Sequence, residues 1–154
     1  MTAPAMTRPG STAQAVPAHL LPHRTPAELI FLARRGLVEA AAASSPAQRY
    51  ATAHLAALRA AAAVLAMRAQ PVHGRRRTRV TSAWLLLMKV APELGEWAEF
   101  FSAGAARRSA AEAGIARVST READDLIRAA AQFIDTVQLS LGLSAQPPVQ
   151  PYAG

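Results

Sequence analysis

Ser45-Pro46-Ala47-Gln48-Arg49-Tyr50-Ala51-Thr52-Ala53-His54-Leu55-Ala56-Ala57-Leu58-Arg59-Ala60-Ala61-Ala62-Ala63-Val64-Leu65 is the stretch on which the fold turns. It opens with a serine that can cap a helix, a proline suited to the first helical position and a glutamine three residues after the cap. Alanine, the strongest helix former, then dominates until Gln70-Pro71 stops the pattern. This predicts a helix from Pro46 to Arg68. Ala56, Ala57, Ala60, Ala61, Ala62, Ala63 and Ala66 cover nearly its whole circumference. A helix with so little bulk lets neighbours approach closely, so it should be central or lie at a subunit interface. Arg49 and His54 stand out against this background, because charged and titratable groups are rare in small apolar surroundings.

Outward from this helix, the same start signals recur. Thr25-Pro26-Ala27-Glu28 and Ser119-Thr120-Arg121-Glu122 are both capping boxes. They predict helices over about 26–43 and 120–141. In the latter, Leu126, Ala130, Phe133, Val137 and Leu141 recur at helical spacing and Asp124 and Arg128 form an i,i+4 pair. Two further helices are expected, from about Val80 to Val90 and from about Pro92 to Ala113, divided by Pro92. Gly36 should weaken the first helix locally, and Gly114 and Gly142 are plausible C-terminal stops. No segment alternates with period two. The reading is an all-α bundle of four to five helices over residues 25–143, mostly antiparallel, with disordered tails at 1–24 and 144–154.

Composition excludes several chemistries. There is no cysteine, so disulfides, thiolate metal sites and thiol catalysis are absent. The four histidines, at 19, 23, 54 and 73, are too scattered for a metal site, and no cofactor motif appears. The longest run of bulky apolar residues, Trp84–Met88, is far short of a membrane span. With no targeting segment, the chain is expected to be cytoplasmic. The formal charge is +7, almost all of it from arginine, with Lys89 the single lysine. Such a field favours polyanions, and arginine suits bidentate phosphate contacts.

Arg49-x4-His54 at the start of an alanine-rich helix resembles the HEPN superfamily (higher eukaryotes and prokaryotes nucleotide-binding). The layout is most similar to an actinobacterial subfamily of small stand-alone HEPN proteins. That resemblance covers about residues 26–141 and implies an all-α bundle of four or five helices. It also implies a homodimer through the region of the second helix, with Arg and His from both protomers meeting in a cleft. In a metal-independent endoribonuclease of this type, His54 would act as general acid or base on a ribose 2′-hydroxyl or the leaving oxygen. Arg49 would hold the scissile phosphate. Tyr50 stands where active members often carry a small polar residue. Five residues correspond to about 140° of helix rotation, so Arg49 and His54 do not share a face. They converge only across a dimer interface or through a distorted first turn.

Other residues are candidates for contacts rather than chemistry. Arg59 is the one charge in the middle of the alanine-rich segment. Arg75, Arg76, Arg77 and Arg79 form a basic loop suited to sequence-independent phosphate contacts. Trp84, Trp97, Phe100 and Phe101 have core spacing, and Asp124-Asp125 reads as a charged first turn. Two functions stay open. One is RNA or nucleotide binding, with ribonuclease activity through Arg49 and His54. The other is a non-catalytic interaction or regulatory module whose basic loop touches nucleic acid or an acidic partner. A nuclease requires the pair to face a shared accessible cleft; an interaction module predicts a buried His54 and a broad apolar patch.

Overall fold

The computed structural model describes residues 24–68 and 82–143. The terminal segments read as disordered and the basic loop with Arg75, Arg76, Arg77 and Arg79 lie outside them. Among the described residues the chain is all-α, without strands: α1 Pro26–Ala42, α2 Pro46–Arg68, α3 Ala83–Val90, a 3-10 turn Pro92–Leu94, α4 Gly95–Glu112 and α5 Thr120–Ser140. Both capping boxes form, with Thr25 and Glu28, and Ser119 and Glu122, each exchanging two hydrogen bonds. Ser45 Oγ accepts the Gln48 amide at 3.1 Å, fixing the start of α2. Ser82 caps α3.

One expected helix differs at its start. Residues 92–94 form a 3-10 turn instead of the first turn of α4. Pro92 disfavours helical backbone at Ala91, which has φ −139°. Leu94, 2 % exposed, then anchors the bend in the core.

Of the two options for the alanine-rich helix, the central one is seen. α2 touches α1, α3, α4 and α5. It is also long and apolar enough, by length and composition, to cross a membrane, yet most of the relevant stretch is buried inside the bundle. The small residues explain how four helices fit around it. Ala33, Gly36 and Ala40 of α1 are buried against it. A β-carbon on Gly36 would lie 3.0 Å from that of Ala56. Gly36 is thus a point of close approach between two helices rather than a weak spot in one.

Bulk enters the core from the other side. Phe101 lies between Trp84 and Trp97, with ring centroids 5.1 and 6.0 Å away and nearly parallel planes. Phe133 of α5 closes on it at 5.2 Å. Burying one such ring is worth about 1.5–3 kcal/mol. Phe100 departs from the expected core role, being 50 % exposed.

Ion pairs tie the helices together. Arg34 of α1 donates to Asp135 at 2.7 Å and to Gln138 on α5. Arg68 pairs with Glu93. Arg107 grips both oxygens of Glu122 at 2.9 Å, joining the end of α4 to the cap of α5. The expected Asp124–Arg128 pair is not formed. Arg128 instead pairs with Asp125 at 3.3 Å, and Asp124 turns inward to Arg49.

Candidate functional site

Arg49 is the fourth residue of α2 and points to the seam between α1 and α5. Its Nη1 donates to the Ala41 carbonyl at 2.8 Å and its Nη2 to Asp124 Oδ1 at 2.5 Å. The Nε–H is buried and has no partner.

His54 points elsewhere. It is 1 % exposed and its ring meets Trp84 and Phe101 edge-on, at 5.9 and 5.8 Å. Nε2 lies 2.9 Å from the Phe101 carbonyl. A carbonyl only accepts, so Nε2 carries the proton and donates it. Nδ1 is then a bare nitrogen, buried and without a partner. Burial pushes the imidazole below its ordinary pKa; the Phe101 hydrogen bond opposes this, Arg108 adds to it and Glu112 opposes it. The residue is a neutral donor inside the core.

Gly104 makes this packing fit, and no sequence signal singled it out. A β-carbon there would lie 3.3 Å from Tyr50 Oη and 3.5 Å from His54 Cδ2. With none, both side chains lie against the backbone of α4. Tyr50 is buried on the same side as His54. Burial raises its pKa, Arg107 lowers it and Glu122 raises it. The one hint at Gly104 was faint: a glycine inside an apolar helix, one turn after Phe101.

Arg49 and His54 therefore do not converge within the protomer. The first turn of α2 is regular, and the separation expected from helix rotation is found. A cleft of about 340 Å³ at the start of α2 is lined by Ser45, Ala47, Gln48, Ala51, Thr52, Ala111 and Glu112, without either residue. Arg59 lies beside the Gly36 position on the α1–α2 seam. Arg75, Arg76, Arg77 and Arg79 follow Arg68, which is about 28 Å along the helix axis from Arg49. A second groove, about 430 Å³, lies between α4 and α5 and is lined by Glu96, Trp97, Phe100, Ala129 and Gln132. Among the described residues no three His, Asp or Glu side chains cluster as metal ligands.

The charge is unevenly divided. The described residues carry twelve basic and ten acidic side chains. The remainder of the chain carries five arginines and no acid, four of them at 75, 76, 77 and 79. Seven arginines of the bundle are in ion pairs.

A family model described as HEPN_SAV_6107-like HEPN matches residues 40–138, from the end of α1 almost to the end of α5. No curated protein and no solved structure matches the chain.

Proposed function

The chain belongs to the HEPN_SAV_6107-like HEPN family, and on that premise we propose that it is a non-catalytic module binding RNA or a related polyanion. The observation that carries this reading is His54: 1 % exposed, its one N–H spent on the Phe101 carbonyl, its charged form disfavoured by burial. A general acid or base must reach the proton it moves, directly or through one water, and this imidazole meets aromatic rings instead. Binding then falls to Arg75, Arg76, Arg77 and Arg79, where the chain's surplus charge is concentrated. Such binding is salt-dependent and indifferent to sequence. The proposal includes a homodimer. On α2, Gln48 near its start and Ala66 and Met67 near its end are exposed and open to a second copy.

The test pairs cleavage with binding. Wild type, His54→Ala and Arg49→Ala are incubated with an RNA panel in EDTA, and a labelled oligonucleotide is titrated across salt concentrations. Binding without cleavage is expected. Replacing Arg75, Arg76, Arg77 and Arg79 by alanine should lower the salt slope by about one for each phosphate no longer neutralised. EDTA-resistant cleavage that disappears in His54→Ala would overturn the reading. Sedimentation at tens of micromolar reads the dimer against the 16.2 kDa protomer.

A further inference from the structure

Phe100 is half-exposed, yet its ring is not free to turn. Phe101 meets it edge-on, with centroids 5.0 Å apart and planes at 81°. Trp97, one turn earlier on α4, stacks on Phe101 and tilts against Phe133 at 5.6 Å. Both rings are held from the core side, and both line the groove between α4 and α5 with Glu96, Ala129 and Gln132. A tryptophan and a phenylalanine fixed in this way make a preformed apolar slot. An occupant then has little wall ordering to offset.

A path to the slot starts at the end of α5. Gly142 has φ +71°. Its N–H donates to the Leu139 carbonyl and that of Leu143 to the Gln138 carbonyl, both at 3.0 Å, which closes the helix in a Schellman turn. Leu143 then packs on the core, so the chain is turned off the helix axis and held on the bundle. Ala129, Gln132, Thr136 and Leu139 recur at spacings of three and four, so one face of α5 leads from that turn to the groove. Residues 144–154 read Ser-Ala-Gln-Pro-Pro-Val-Gln-Pro-Tyr-Ala-Gly, without a charged side chain although the chain carries +7. In polyproline II geometry, at about 3.1 Å per residue, Pro147 to Pro151 fall about 12–25 Å from Leu143. Gln132 and Ala129 lie about 16 and 21 Å back along α5, within that span. Aromatic grooves take such segments because proline fixes the backbone before binding and leaves carbonyls in need of donors. Trp97 carries an indole N–H and Gln132 an amide NH2. We infer that the α4–α5 groove is the docking site of the chain's own proline-rich segment, residues 147–152, which lies over Trp97 and Phe100. A tether this short keeps the segment at a millimolar effective concentration, so a contact too weak to hold a free peptide is populated here. The surface is separate from the basic loop and goes beyond the RNA-binding reading.

The test exploits the absence of cysteine. A nitroxide on Ala153→Cys in the ¹⁵N-labelled full chain broadens the resonances near it. The Trp97 indole N–H and the Phe100 and Gln132 amides should lose about half of their intensity or more, the occupancy that a millimolar contact reaches on a millimolar tether. The Gln48 and Ile115 amides, at the other end of the bundle, should keep theirs. Two variants should restore the lost signals. Phe100→Gln removes the exposed wall of the groove. Pro148→Asp with Val149→Asp puts charge into the segment and leaves the bundle untouched. No loss in the unsubstituted segment overturns the inference. So does a loss shared equally by Gln48 and Ile115, or one that survives the two aspartates. If Phe100→Gln fails to fold, the aspartate variant decides. Mixing ¹⁵N chain that lacks the nitroxide with ¹⁴N chain that bears it identifies the source. An equal loss in that mixture would assign the groove to the segment of a second copy and overturn docking within one chain.

Discussion

Replacing Gly36 by alanine sets two effects of opposite sign against each other. Gly36 lies inside α1, where glycine costs about 1 kcal/mol relative to alanine, so intrinsic propensity favours the substitution. The structure opposes it. The new β-carbon would lie 3.0 Å from Ala56 Cβ, 3.5 Å from Ala56 Cα and 3.6 Å from an Arg59 nitrogen. Carbon atoms pack best at about 3.5–4.0 Å. Ala56 is fully buried on the central helix and has no rotamer to change, so relief requires α1 and α2 to separate by roughly half an ångström or more. A gap of that size forfeits about a quarter to a half of the dispersion energy between atoms that face each other along the seam. Overpacking of this kind costs about 1–3 kcal/mol. The net expectation is a loss of about 1 kcal/mol, read as a lower urea midpoint with unchanged slope. Ala56→Gly should relieve the clash, so the double variant should be more stable than the two single losses predict by about 0.5–2 kcal/mol. A stabilised Gly36→Ala, or strict additivity in the cycle, would refute the close-packed seam.

His54 should make stability depend on pH. Its pKa is lowered in the folded chain, so the unfolded chain binds the proton more readily, and stability present above about pH 6.5 is lost as the pH falls below it. Urea midpoints from pH 8 to 5 should show this fall in wild type and a flatter profile in His54→Gln; a flat wild-type profile contradicts a buried neutral imidazole. Phe101→Ala removes the ring on which both tryptophans stack and should cost about 3–5 kcal/mol by chemical denaturation. Gly142 holds φ +71° at the end of α5, so Gly142→Ala should cost about 1 kcal/mol, and a neutral result would mean that the turn relaxes.

The helical frame was legible because its signals are local. Thr25, Ser45 and Ser119 each mark a start through atoms three residues away, and α2 begins and ends where its proline and capping pattern indicated. What lies between helices was less legible. Gly36 and Gly104 looked like defects in their own helices, since the residues that make them necessary, Ala56 and the Tyr50–His54 pair, are remote in sequence. The partner of Asp124 was misread for a similar reason: Arg128 is the local choice, whereas Arg49, 75 positions away, offers a guanidinium already fixed by Ala41. The angular separation of Arg49 and His54 followed from helix geometry alone. The enclosure of His54 by Trp84 and Phe101 did not, because it depends on how α3 and α4 return to α2.

The aromatic stack has an optical consequence. The chain has two tryptophans, and both lie against Phe101; one of them, Trp84, also meets the imidazole of His54. All intrinsic indole emission therefore originates at the junction of α3, α4 and α5, and the share from Trp84 originates next to His54. A protonated imidazole quenches a neighbouring indole far more than a neutral one. The unlabelled protein thus carries its own gauge of His54: a loss of emission on acidification, ahead of any loss of helical signal, would report proton entry into an otherwise intact bundle.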